Sequence, residues 1–288
     1  MSKLTSKPGE PLRFAPITAD SVIFKPEQST KGQPDDDTFG TEDPRVIYDQ
    51  KSKTHVMTYT CYAGSGDYNL SMATCMSDSS VAACWQRKGR VFPGKTRTQS
   101  GSILVGKGGQ PPHWLVHGCG PILLARNDGS IGENSWKQVN DSAGRPFVLI
   151  PKHKNEFDAA VETGPMPMPL SDGNLLLIFN SVCKPGTPGC MPLNVLNSSV
   201  LYAPAWSIVN GSDISQVLQR ATAPLLVPFA PWESGCLGRG SRATPRAKSS
   251  GLTRRRRALS SQRASARREQ TSSRCSTAAP TALSVLWR

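Results

Sequence analysis

The chain has 288 residues, enough for one large domain or two small ones, and its 37% hydrophobic content is low for a packed globule of that size. Its net charge of +13 is concentrated: between Arg239 and Arg288, 13 basic residues face Glu269 alone, so the body is near neutral and a nucleic-acid-binding body loses its support. No apolar run approaches the roughly 18–20 residues of a bilayer span, and Met1–Pro16 carries two lysines and no apolar stretch, which reads as no membrane partner, no secretory leader and a cytoplasmic location by default.

Residues 1–40 are rich in Pro, Lys, Thr and Asp, with one strand expected at Asp20–Lys25. From 41 to 236 the chain reads as short strands punctuated by Gly, Asp, Asn and Pro: Val46–Asp49, Thr54–Tyr62, Tyr68–Thr74, Ser102–Val105, Trp114–His117, Ile122–Arg126, Phe147–Ile150, Met168–Leu170, Leu175–Ser181, Ser199–Ala205 and Val217–Gln219. No segment holds a 3.6-residue apolar period beyond about two turns, so the class is all-β. Groups of strands followed by Trp85, Trp136 and Trp206 recur at a spacing of roughly 50–60 residues, the pattern expected of propeller blades. Residues 237–288 change character abruptly to Arg, Ser, Ala and Thr, with the run Arg254–Arg257. Such a segment buries too little apolar area to offset its ordering entropy and is expected to be disordered, a translated frame-shifted end or a basic arm through which alone nucleic acid would bind.

The eight cysteines lack paired C-x-x-C spacing, and no metal site is expected. Cys183 and Cys190 bracket the loop KPGTPG and could pair in an oxidising compartment, but two reduced thiols at a turn are the expectation. Cys61, Cys75, Cys84 and Cys119 read as core thiols. Glycosylation sequons at Asn69, Asn140, Asn197 and Asn210 would matter only in a secreted protein.

The sharpest local signal is TEDPRV at Thr41–Val46, followed by VMTYTCY at Val56–Tyr62. Together with WQRKGRVFP at Trp85–Pro93, ETGPMPMPLSDGNLLLIFN at Glu162–Asn180 and RATAPLLVPFAPWESG at Arg220–Gly235, it resembles the glycoside hydrolase family of mannoside phosphorylases and β-mannosidases, family 130. The resemblance implies a five-bladed β-propeller that cleaves β-mannosides or related glycosides with inversion and takes an oligosaccharide or glycoside as its partner. It also implies that Asp43 passes its proton to the glycosidic oxygen through a sugar hydroxyl. Pro44 fixes the backbone after Asp43 and favours an extended residue before it, and Glu42 is the expected neighbour that helps Asp43 keep a proton.

The second reactant separates two readings. Phosphorylases of the family surround phosphate with several cations, since the transferred charge needs fixed positive partners. One of those arginines follows a histidine; in this chain Gly118 stands there after His117, with Lys95 as the candidate replacement. Hydrolysis is therefore favoured, with inorganic phosphate left as a possible co-substrate and no other cofactor. Hydrolysis needs a carboxylate base, for which Glu162 is the candidate and Glu233 the second. Glu42, Arg45, Tyr62, His117, Trp232 and Glu233 are the expected substrate contacts, whereas Tyr59 and Trp114 read as core and Asp67 and Asp172 as turn residues. The resemblance covers about three to three and a half blades of five, so a weakly active chain is expected, with a non-catalytic carbohydrate-binding propeller as the alternative.

Overall fold

The computed structural model describes residues 22–27, 37–64, 66–76, 82–95, 97–154, 156–183, 190 and 201–227. Almost all regular structure there is strand, arranged in three antiparallel sheets taken in chain order. The expected tail and the residues Trp232 and Glu233 lie outside the described residues.

The first sheet is a meander of β1 (Gly40–Asp49), β2 (Thr54–Tyr62), β3 (Tyr68–Cys75) and β4 (Gln86–Arg90). Threonine, tyrosine and small residues dominate β2 and β3, which suit a central pair buried on both faces. The second sheet orders β5 (Gly101–Leu104), β6 (His113–His117), β8 (Ile122–Asn127) and β10 (Val148–Ile150), with β9 (Lys137–Gln138) also on β8. The third runs β7 (Cys119–Gly120), β11 (Ala160–Thr163), β13 (Leu175–Cys183), β14 (Leu201–Val209) and β15 (Val217–Arg220), with β12 (Met168–Pro169) on β13. Strict buried/half-buried alternation along β13 and β14 is the period-2 signature of a strand with one face in the core.

Three expectations need correction. Val22–Glu27 is irregular, not a strand. Side chains anchor it: Ile23 and Phe24 pack against the Met57–Tyr59–Trp85 cluster, and Asp37 accepts from the Glu27 amide and from Arg87. Of the three tryptophans, Trp85 and Trp136 precede the outer strands β4 and β9, but Trp206 sits inside β14, so the third unit breaks the expected order. The thiols also differ. Cys75 pairs with Cys84 and Cys183 with Cys190, at Cα separations of 5.0 and 5.9 Å that suit a disulfide, and Cys119 is exposed. Sequence spacing alone leaves both closures open. Of the sequons among the described residues, Asn69 is fully buried, Asn210 caps its own turn and Asn140 is exposed, while Asn197 lies outside the described residues.

Buried polar groups stitch the three sheets together near the N-terminal ends of β1 and β5 and the C-terminal end of β11. Thr58 donates to Gly101 O at 2.6 Å, Ser102 donates to Gly164 O at 2.6 Å, and the Ser100 amide donates to Thr60 Oγ1 at 3.2 Å. These bonds satisfy donors and acceptors that burial would otherwise penalise. Gly164 must lack a side chain, because a Cβ there would run into the Ile178 carbonyl of β13. Gly164→Ala should therefore destabilise the protein by about 1–3 kcal/mol, as overpacking does; an unchanged urea midpoint would show that the strands separate freely.

Candidate active site

Asp43 lies in a bulge. Glu42 pairs with Thr60 and Arg45 with Thr58, so β1 carries one residue more than β2 across this stretch, and Asp43 adopts φ 51°. Aspartate is among the few side-chain-bearing residues that tolerate this left-handed region, and a bulge re-aims side chains beside it. Ser100, on the loop entering β5, has a similar φ of 52°. Two non-glycine residues in a costly conformation, placed against each other, mark a local geometry that the surrounding fold imposes.

The Ser100 hydroxyl joins the two candidate acids. Its Oγ donates to Glu162 Oε1 at 2.6 Å and lies 3.5 Å from Asp43 Oδ2. Gln99 Nε2 is 3.5 Å from the same Glu162 oxygen. Glu162 is the third residue of β11, paired with Asn180 on one side and Cys119 on the other. β7 makes that possible: between β6 and β8 the chain leaves the second sheet, pairs for two residues with β11, and returns. Burial pushes the Glu162 pKa up, the nearby Asp43 charge adds to this, and the hydrogen bond from Ser100 opposes it. The exposed Cys119 thiol is pushed up to about 12, chiefly because an anion there would be crowded by protein atoms, then because Glu162 and Asp43 face it. A carboxylate pair that discourages further negative charge is thus built from the first and third sheets, with Ser100 reaching it from the loop before the second.

Arg45 clamps the pair. It donates from Nη1 to its neighbour's carbonyl, Asp43 O, at 2.5 Å, from Nη2 to Thr163 O at 2.7 Å, and from Nε to Gly164 O at 2.9 Å. The guanidinium thus ties the Asp43 bulge to the end of β11 that carries Glu162, 119 residues away along the chain. Burial lowers its pKa, opposed by the charges of Asp43 and then Glu162. The structure therefore spends Arg45 on backbone carbonyls, where the sequence suggested a substrate contact.

Other expected residues fall elsewhere. Glu42 lines a cavity of about 150 Å³ with Val22, Ile23, Phe24, Pro44, Met57 and Tyr59, and the carboxylate set against Asp43 is Glu162. Tyr62 stacks on Tyr68 at 4.5 Å. His117 is 1% exposed, turned to Phe92 and to Gln138 Oε1 at 3.1 Å. Because the Gln138 amide nitrogen donates to Leu124 O and Val139 O, its oxygen faces the ring, and His117 donates from Nε2. Burial drops the His117 pKa to about 4, so the ring is neutral at physiological pH. Lys95 is exposed, with its ammonium 5.7 Å from the Phe92 ring centre. Gly118 has φ 120°, and a Cβ there would lie 2.7 Å from Pro121 O.

Tyr59 is buried and Trp114 packs at the edge of the main core, both as expected. Asp67 bonds Asn69 and Arg90, and Asp172 holds the turn at Asn174, as turn residues do. Among the described residues, His153, Glu156 and Asp158 bring possible ligand atoms within 4.8 Å of one another. Arg220 occupies Asp158 there, which makes the group an ion-pair cluster pinning β15. No helix among the described residues is long and apolar enough to cross a membrane.

Ser100, Gln99 and Cys119 were not singled out as site residues by sequence. Their one legible cue is the polar run Thr98–Ser100 directly before a strand inside a motif-bearing domain.

A family model described as beta-1,4-mannooligosaccharide phosphorylase matches residues 19–236. Among solved structures, a Bacteroides ovatus protein classed as a glycoside hydrolase superposes with TM-score 0.61 at 25% identity, covering 80% of this chain and 66% of that one. A Bacteroides thetaiotaomicron protein classed as a glycosidase gives TM-score 0.61 at 20% identity, covering 78% and 65%. A third comes from the family of mannoside phosphorylases that contains glycoside hydrolases targeting β-1,2 mannosidic linkages in Candida mannan; it gives TM-score 0.57 at 21% identity, covering 72% and 58%. The chain thus spans slightly less than two thirds of the length of each of these structures. Curated protein sequences give no match.

Proposed function

The chain belongs to glycoside hydrolase family 130, and from that premise we propose that it hydrolyses β-mannosides with inversion, with Asp43 as proton donor and Glu162 as base. The three sheets are read as consecutive blades of a β-propeller spanning 41–236, flanked by the segments 1–40 and 237–288. The observation that carries the reading is the single Ser100 hydroxyl touching both carboxyl groups. The two acids come from different sheets and share that hydroxyl at 2.6 and 3.5 Å; in the proposed reaction Glu162 activates water on the face opposite the acid, as inversion requires. Burial, and then the like charge of Asp43, raise the Glu162 pKa, which makes its carboxylate the stronger base once it is ionised.

Hydrolysis is favoured over phosphorolysis by the cations. Phosphate requires several fixed positive charges. Here the Gly118 position offers none, His117 is neutral and turned away, and three Arg45 N–H groups are taken by carbonyls. Lys95 is exposed, with its ammonium over the Phe92 ring. Mannose release from β-1,4- and β-1,2-linked manno-oligosaccharides should be unchanged by millimolar inorganic phosphate, with α-mannose as the first product by NMR. Strong acceleration with mannose 1-phosphate as product would overturn this assignment. Binding of the same sugars without any product would select a non-catalytic carbohydrate-binding domain.

A further inference from the structure

We infer that the ring of Phe39 is a stacking platform for a sugar unit of the substrate beyond the bond being cleaved, an inference that rests on the β-mannoside reading above. Phe39 immediately precedes β1 and is 67% exposed, among the most exposed of the large apolar side chains described. Isolated exposed apolar residues are ordinary, but this ring is held in place. Its own backbone amide donates to Tyr62 O at 3.1 Å. The ring packs over Gly64, where an added Cβ would lie 2.8 Å from it, and Gly64 has φ 88°, so the seat is shaped for a flat aromatic. Its edge meets Tyr62 at 6.0 Å and 56°, and Tyr62 in turn stacks on Tyr68 at 4.5 Å and 10°. Tyr62, backed by Tyr68, and a glycine thus hold one open ring.

The chemistry of the open face selects the ligand. A phenyl ring has no donor or acceptor, so what it recognises is a flat patch of C–H bonds, as on the less polar face of a pyranose. Preorganisation matters here, because a ring already immobile loses little side-chain entropy when a sugar lands on it. The position is continuous with the candidate active site. Phe39, directly before β1, and Asp43, within it, are four residues apart, roughly 13 Å at most at strand rise, which exceeds one sugar ring. A chain of sugars with one unit at Asp43 therefore places a later unit over Phe39.

The test is binding of β-linked mannobiose and mannotetraose to the full chain and to its Phe39→Ala and Phe39→Trp variants by calorimetry, with thermal unfolding as the check on folding. Wild type should prefer the tetraose. Phe39→Ala should lose about tenfold for the tetraose, the scale of some 50 Å² of apolar contact, with no change for the biose, and Phe39→Trp should restore the preference. A length preference that survives Phe39→Ala, or an equal loss for both sugars, overturns the platform alone. No binding of either sugar by wild type overturns the mannoside reading itself, and with it the platform.

Discussion

Asp43→Asn should reduce mannoside turnover by at least about a hundredfold, the low end of what a positioned acid contributes, while leaving thermal stability unchanged or slightly higher. Asparagine has the same shape and shares aspartate's tolerance of a left-handed backbone, so the bulge at φ 51° survives the change. It also removes a negative charge from the vicinity of Glu162. Asp43→Ala gives the same loss of turnover with a different stability outcome, about 1–2 kcal/mol lower, because alanine has no short polar group to support that conformation. Mannose release and denaturant midpoints, measured side by side, separate chemistry from folding. Turnover retained in Asp43→Asn would remove Asp43 from the mechanism.

Glu162→Gln should abolish hydrolysis and at the same time stabilise the protein at neutral pH. The Glu162 pKa is raised in the folded state, first by burial and then by Asp43. Above the ordinary glutamate pKa the unfolded chain releases this proton while the folded chain holds it, so stability falls as pH rises through that interval and stays lower beyond it. Glutamine never ionises, and its amide oxygen can still accept from Ser100. The variant should therefore exceed wild type at pH 7 by on the order of 1 kcal/mol, about 2–4 °C in Tm for a domain of this size. Below about pH 4, where the unfolded carboxyl is also protonated, the difference should disappear. A gap that persists at pH 3 would assign the gain to packing and remove the electrostatic account.

The strands whose chemistry matches their burial were legible from the residues. Thr54–Tyr62 was recognised from end to end because β-branched and aromatic residues fill it and a polar turn bounds it. β4, Gln86–Arg90, went unread, since QRKGR has neither alternation nor apolar content; its pairing with β3 makes it a strand. Asp43 and Glu162 were found through their motifs. What placed them together was not in any local pattern: Ser100 meets Glu162 across 62 residues, and β7 pairs with β11 only after leaving its own sheet. Glu42 was set beside Asp43 because it is the adjacent residue, but successive side chains of a strand point to opposite faces, and Glu42 lines the cavity beside Phe24 while Glu162 is the carboxylate set against Asp43. The disulfides were not expected, since closure depends on how near the fold brings the Cα atoms, which spacing along the chain does not give.

Gly118 carries a consequence for how this chain could change in evolution or in the laboratory. The backbone there sits at φ 120° with the Pro121 carbonyl filling the place of any side chain, and its amide donates to both Gln99 O and Ser100 O. The position that the resemblance assigns to a phosphate-binding arginine is therefore closed by main chain. A lineage that had traded phosphate for water by this route could not retrace it through a single codon, because an arginine would first have to rebuild the turn that supports Ser100. The loss of one cation and the placement of the serine between the two acids are one and the same piece of backbone.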